Sequence, residues 1–317
     1  MYDKPIEVKE SLMGKKAFLT LITILFSVAV LFASNVNLKQ ADDLYWTDRL
    51  EEAKSFIHGE LTKTNDPQEK AELLWRLSRV TLAIGDELKE EGASDALLFA
   101  TYEEAEKYAN DAIDYKPLAS AYVYRASSIG RWGETKGPLN ALSKAKPMRE
   151  DFAYVIDNLG ILDDSISWYV LGQLYFQLPG WPISFGNLDT AISYARKAID
   201  TIPQHALYPG HFKALATMLW KRDLSTSKRS SKINSLQKDW NKANKGELDK
   251  HSYYEGANGA KAVPFYSSVA LDKMSDRQEA QMLLAYAVAK YDVWPFHSRA
   301  DQRNYNEIQS LLKSWGF

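Results

Sequence analysis

The chain has 317 residues, 39 lysines and arginines against 41 aspartates and glutamates, 45% hydrophobic residues and no cysteine. This composition is that of a globular protein with a sizeable core, and it excludes disulfides, thiolate metal sites and cysteine nucleophiles. The nearly balanced charge excludes nucleic acid as an expected partner, because nucleic-acid-binding proteins usually carry a large basic excess.

An uncharged apolar run lies close to the N-terminus. It extends over Ala17–Ala33, follows Lys15 and Lys16, and precedes a polar stretch. A basic flank, an apolar run and small residues at its end are typical of a secretory signal; an uncleaved anchor and a buried core helix are the alternatives. Residues 1–34 are therefore predicted to be a signal peptide or membrane anchor. We expect the remainder to be exported, either periplasmic or anchored in the inner membrane facing the periplasm.

Four degenerate helix pairs are predicted after this segment. The first three begin near Ala41, Glu69 and Ser120. The fourth begins at Ser165 and carries Trp168, Leu171, Gly172 and Tyr175 at the spacing of the first helix of a tetratricopeptide unit. Its second helix is expected to approach most closely at the glycine. About 15 extra residues in the second pair predict longer helices or loops there.

An internal repeat supports these pairs. Tyr102–Pro117 and Leu188–Pro203 share seven of sixteen residues without a gap. Three alanines in each copy recur at offsets that place them on one helix face, where small side chains let a neighbouring helix approach. These are Ala105, Ala109, Ala112, Ala191, Ala195 and Ala198. A proline five residues after the last alanine ends each helix.

The pattern decays after Pro203. One further helix is predicted over His205–Arg222, and two C-terminal helices are expected to cap the array. No stretch alternates with period two, so the predicted fold is all-α. It is an α-solenoid of tetratricopeptide-like helix pairs over residues 35–222, with a basic linker and a helical C-terminal cap over residues 223–317.

Three segments resemble a known family: LLWRLSR at Leu73–Arg79, YEEAEKYANDAI, and SISWYVLGQLYFQLPGW. They are similar to the tetratricopeptide domain of the regulator-of-microtubule-dynamics family, over about Leu38–Pro203. The resemblance implies a helical, non-enzymatic, membrane-associated protein, and some members act at membrane contacts with lipid ligands. The signal-like N-terminus indicates a bacterial, exported relative of the family. The resemblance therefore does not imply a microtubule role for this chain.

Motifs for catalysis or metal binding are absent from the sequence. The five histidines have no metal-ligand spacing, and His205 and His211 are expected to be ordinary loop or surface residues. The acid pairs Glu103–Glu104 and Asp163–Asp164 are expected near helix starts, where carboxylates are favoured, rather than in acid–base catalysis. We therefore expect no enzyme, no cofactor and no metal.

Six side chains are predicted to line the concave face of the array. Aromatic and arginine side chains there are common binding anchors, although packing between helices is the alternative. The six residues are Trp75, Arg79, Tyr124, Arg131, Tyr169 and Gln173. Trp181, in the loop of the fourth pair, is a further candidate that we expect to fold back onto the array.

The expected function is that of a scaffold or adaptor in the cell envelope, which binds a protein or peptide on this face. One alternative is a carrier of a hydrophobic small molecule or lipid, and another is a structural subunit of an envelope machine. The N-terminal segment makes the membrane a further candidate partner.

Charge is unevenly distributed. Arg49–Lys116 carries nine basic and sixteen acidic residues, and Lys221–Lys250 carries nine basic and four acidic residues. Solvated helix faces explain both stretches. The alternatives are a polarised surface that orients a partner, and a basic stripe that faces anionic lipid.

Overall fold

A computed structural model describes residues 38–317, and the predicted signal or anchor lies outside the described residues. All regular secondary structure in this range is helical, and the range contains no strand. The all-α class is thus confirmed. Within the same range, no helix combines the length and apolar character needed to cross a bilayer.

The α-helices are numbered here in chain order. They are residues 38–46 (α1), Leu50–Leu61 (α2), Pro67–Glu90 (α3), Asp95–Tyr115 (α4), Ala119–Lys136 (α5), Leu142–Ala153 (α6), Ser165–Gln177 (α7), Leu188–Asp200 (α8), Pro209–Arg222 (α9), Thr226–Lys242 (α10), Glu247–His251 (α11), Asp276–Asp292 (α12) and Arg299–Trp315 (α13). Short 3-10 turns at Pro138–Ala141 and Leu271–Lys273, and a π-helical turn at Tyr154–Asn158, complete the elements.

Helices that follow one another in the chain pack against one another from α2 to α6, and again from α7 to α9. The ends of α3, α5 and α7 lie together. Glu134 of α5 has carboxylate oxygens 3.7 Å from Lys89 Nζ of α3 and 3.3 Å from Gln177 Nε2 of α7. The loops that follow these three helices therefore lie along one edge of the molecule.

The predicted small-residue face is buried. All six repeat alanines are at most 2% exposed. A Cβ at Gly172 of α7 would lie 3.2 Å from both the Ala191 carbonyl oxygen and the Ala195 amide nitrogen of α8. This position has little room for any other side chain, which confirms the predicted close approach. The extra residues of the second pair lengthen its helices, to 24 residues in α3 and 21 in α4.

One expectation about paired acids is wrong. Glu103 and Glu104 lie in the middle of α4, because the extra residues extend that helix back to Asp95. Glu104 pairs with Lys54 of α2 at 2.8 Å. The other expectation is confirmed, since the Asp164 carboxylate accepts a hydrogen bond from the Ser167 amide at the start of α7.

The C-terminal segment is joined to the rest of the core. Helix α12 packs against α9, and α13 packs against both. The basic stretch after α9 forms α10. Buried Leu248, Tyr266 and Leu283 belong to the same hydrophobic cluster as residues of α7, α8 and α9. These contacts bury the C-terminal face of α9 that would otherwise meet solvent.

A buried ion network links α8, α10 and α12. Arg196, Arg229 and Glu279 lie on these three helices in turn, and none is more than 1% exposed. Glu279 pairs with both guanidinium groups and accepts a hydrogen bond of 2.6 Å from the Tyr266 hydroxyl. Nearby, Arg222 donates two hydrogen bonds of 2.8 Å to Asp276. Each carboxylate in this network is therefore matched by arginine, as burial of charge requires.

Candidate binding site on the inner helix face

The odd-numbered helices α1, α3, α5, α7 and α9 share an inner face lined with aromatic side chains. Trp75 of α3 stacks on Tyr124 of α5, with ring centroids 5.8 Å apart and planes within 5°. Tyr169 of α7 stacks on His211 of α9, with centroids 4.3 Å apart. These contacts link helices that are separated in the chain by an intervening helix. We call this surface the inner face.

Aromatic rings surround the Arg79 side chain on this face. Its guanidinium carbon is 4.0 Å from the centroid of Tyr45, 5.1 Å from Trp75 and 5.9 Å from Trp46. The residue is 5% exposed, and its Nη2 donates to Asp42 Oδ1 at 2.5 Å. Its Nε has no hydrogen-bond partner among the residues that the structure describes. Because an unmet buried donor is costly, this atom is a candidate contact for a ligand.

Helix α1 and the segment before α9 close the inner face into a short arc. The Trp46 ring lies 6.1 Å from His205 and 6.4 Å from Tyr208. Tyr208 has a φ of 45°, a left-handed conformation that is rare for a bulky residue. Such conformations persist where the surrounding structure enforces them, and they are frequent at functional sites.

Four tyrosines of the inner face have raised pKa values. Burial is the largest cause for each of Tyr45, Tyr124, Tyr169 and Tyr208. All four are nevertheless partly exposed, so water reaches them. Within the described residues, the hydroxyls of Tyr45, Tyr124 and Tyr208 have no hydrogen-bond partner. The inner face therefore offers neutral hydroxyl groups in a recess that is partly shielded from water.

His211 is buried, which contradicts the expectation of a loop or surface histidine. It is 7% exposed, lies in the first turn of α9, and is stacked between Tyr169 and Tyr208 at 4.3 and 4.9 Å. Burial lowers its pKa to about 3, although the Ser165 carbonyl opposes this. The imidazole is thus neutral at physiological pH. Sequence spacing could not show this burial, since the helical pattern weakens after Pro203.

The remaining predicted site residues differ in what they can offer a ligand. Arg131 pairs with Asp86 at 2.9 Å and with Glu134 at 2.9 Å, so its main donors are already used. The Gln173 side chain lowers the pKa of Tyr169, against the larger raising effect of burial. It also lines a cavity of about 70 Å³ between α5, α6 and α7. Trp75, Tyr124 and Tyr169 contribute aromatic rings to the inner face, and Arg79 contributes its buried cation.

Sequence reasoning missed four residues of this site: Tyr45, Trp46, Tyr208 and His211. The first two lie at the end of α1 and contact the Arg79 guanidinium. The aromatic pair in DDLYWTDRL was the available signal, since it lies within the first predicted helix pair.

Helix α13 borders the inner face. The Arg299 amide donates to Asp48 Oδ2 at 2.6 Å in the turn after α1. Arg303 pairs with Glu87 of α3 at 2.8 Å, and Arg299 pairs with the same carboxylate at 3.2 Å. The start of α13 is therefore attached to the N-terminal half of the molecule.

No group of three or more His, Asp or Glu side chains between residues 38 and 317 is arranged to hold a metal ion. No protein-family model and no curated protein sequence matches the chain. The inner face is thus the feature that guides a functional proposal.

Proposed function

We propose that this chain is a non-enzymatic binding protein of the cell envelope, built as a tetratricopeptide-like α-solenoid that holds a segment of a protein partner on its inner face. The observation that carries the proposal is Arg79, a buried cation with an unmet Nε donor and aromatic rings around it. Buried arginine and aromatic side chains are the residues that most often dominate binding energy.

The helix packing supports the solenoid. Successive helices contact one another, the first helices of three pairs end along one edge, and Gly172 lies against the backbone of its partner helix. The segments that resemble the regulator-of-microtubule-dynamics family lie in the helices α3, α4 and α7 and in the loop after α7. This favours descent from a common tetratricopeptide-like ancestor.

A peptide segment fits the inner face better than a hydrocarbon chain does. Tyrosine hydroxyls and the Arg79 donor can bind main-chain carbonyl groups or acidic side chains, whereas a hydrocarbon chain would desolvate them without replacing their hydrogen bonds. The indole and phenol rings supply apolar area for the side chains of the same segment.

Photo-crosslinking from position 46 tests the proposal. We expect p-benzoylphenylalanine in place of Trp46, at the mouth of the inner face, to cross-link one protein partner in living cells. The matched control carries the same amino acid in place of Tyr115, an exposed aromatic residue at the end of α4. Cross-links of equal yield from both positions, or none from position 46, would contradict an inner-face site.

A substitution at Arg79 should weaken this cross-link. Arg79→Met is expected to lower the yield by roughly tenfold, because truncating a buried arginine anchor commonly costs a factor of this size. Arg49→Met is the control, since Arg49 is exposed and Glu52 is its one ion-pair partner among residues 38–317. Both variants are expected to retain their helix content, which circular dichroism checks.

A further inference from the structure

The loop between α7 and α8 exposes two large apolar side chains. Trp181 is 90% exposed and Ile183 is 67% exposed. The expectation that Trp181 folds back onto the array is therefore wrong. The loop places the indole beyond the ends of the helices, where described residues do not cover it.

The loop's own backbone holds this conformation. The Gly186 amide donates to the Pro179 carbonyl at 3.0 Å, and the Ile183 amide donates to the Gly180 carbonyl at 3.2 Å. The Asn187 amide then donates to the Tyr175 carbonyl of α7 at 3.0 Å. A loop with these internal bonds presents its tip in a defined position, so the apolar exposure is built into the fold.

A second exposed apolar residue lies on the neighbouring segment. Leu139, on the 3-10 turn after α5, is 68% exposed. Ala141 from the same turn and Leu178 from the start of the loop line one cavity, so the two segments are adjacent. We call Leu139, Trp181 and Ile183 the apolar edge.

Exposed lysines flank the apolar edge. Lys136, Lys221 and Lys228 are exposed and have no ion-pair partner among the described residues. Lys221 Nζ lies 4.6 Å from the ring of Phe176, directly before the loop. Lys232 of α10 pairs with Asp189 at 2.8 Å, which places the first two turns of α10 next to the start of α8, directly after the loop.

The carboxylates near this edge are neutralised within the protein. Glu134 pairs with Arg131, Asp189 with Arg222 and Lys232, and Asp223 with Arg277. The apolar edge thus combines exposed apolar side chains with lysines whose positive charge is not paired among the described residues. The positively charged surface ends at the α3–α4 corner, where Glu90, Glu91 and Asp95 are exposed.

We propose that the apolar edge and its three flanking lysines bind the surface of an anionic lipid bilayer. Tryptophan favours the bilayer interface because its ring is apolar and its N–H group remains able to hydrogen-bond. Lysines next to inserted apolar side chains are attracted by anionic head groups. The contact involves the outer edge of the molecule, so it is independent of the partner on the inner face.

Site-specific fluorescence tests this contact in the full chain. The protein contains no cysteine, so Ile183→Cys provides one labelling site for an environment-sensitive NBD fluorophore. We expect its emission to shift to the blue, and to be quenched by lipid-borne nitroxide, on phosphatidylcholine vesicles that contain phosphatidylglycerol. The matched control is Asn65→Cys, in the exposed loop before α3 at the opposite end of the first helices. Its emission should not change.

A charge variant makes the test specific for anionic lipid. Replacing Lys136, Lys221 and Lys228 by glutamine should weaken the response at position 183 by about fivefold for each lysine removed. Both labelled proteins carry the same N-terminal segment, so any tethering through it affects them equally. Equal responses at positions 183 and 65, or a response that the lysine variant retains in full, would overturn the proposal.

Discussion

Replacing Glu279 by alanine is expected to destabilise the folded chain by roughly 3–5 kcal/mol. Glu279 is fully buried and pairs with Arg196 and Arg229, which are themselves buried. Burial alone would raise the pKa of Glu279, but the two guanidinium groups hold it well below its ordinary value. Alanine leaves two cations in the interior without this carboxylate. The Tyr266 hydroxyl also loses its acceptor.

Urea unfolding followed by circular dichroism measures this effect. The control is Glu150→Ala, which removes an exposed carboxylate paired with Lys146 on α6. Exposed pairs contribute little, so its free energy of unfolding should change by less than about 1 kcal/mol. If Glu279→Ala were no more destabilising than Glu150→Ala, the ion network would not hold α8, α10 and α12 together.

Acidification is expected to destabilise the protein through His211. Its pKa is about 3 in the folded chain, against an ordinary value of 6.5. The unfolded chain therefore binds the additional proton, and stability is lost as the pH falls below 6.5 toward 3. Between pH 7 and pH 5 this residue alone should cost about 2 kcal/mol.

The variant His211→Phe isolates this contribution, because phenylalanine can stack between Tyr169 and Tyr208 but cannot titrate. The free energy of unfolding of each protein is measured at pH 7 and pH 5, and the change between the two pH values should differ between the proteins. The original chain should lose about 2 kcal/mol more than the variant. Identical pH dependence of the two proteins would show that His211 is not held neutral on the inner face.

Local periodicity predicted the helices well because it reflects local packing. The alanine faces of α4 and α8 are buried as expected, since residues three and four apart share one side of a helix. Gly172 marks the close approach of α8 for the same reason. The predicted inner-face residues Trp75 and Tyr124 stack on each other because two first helices present equivalent positions.

Contacts between distant segments could not be predicted in this way. Arg196 and Glu279 are 83 residues apart in the chain. Neither lies in a sequence pattern that indicates a buried charge. His211 is buried by rings from α7 and from the turn before α9. Trp181 is exposed because backbone hydrogen bonds within its loop fix the position of the loop tip. The hydrophobic pattern of the sequence does not report this backbone geometry.

Native mass spectrometry of the purified complex tests the proposed function most directly. We predict that the chain carries a stoichiometric protein segment, and that Arg79→Met loses it while Arg49→Met retains it. Bound lipid without any protein segment, in the original chain and in both variants, would contradict an adaptor. It would favour a carrier of hydrophobic molecules.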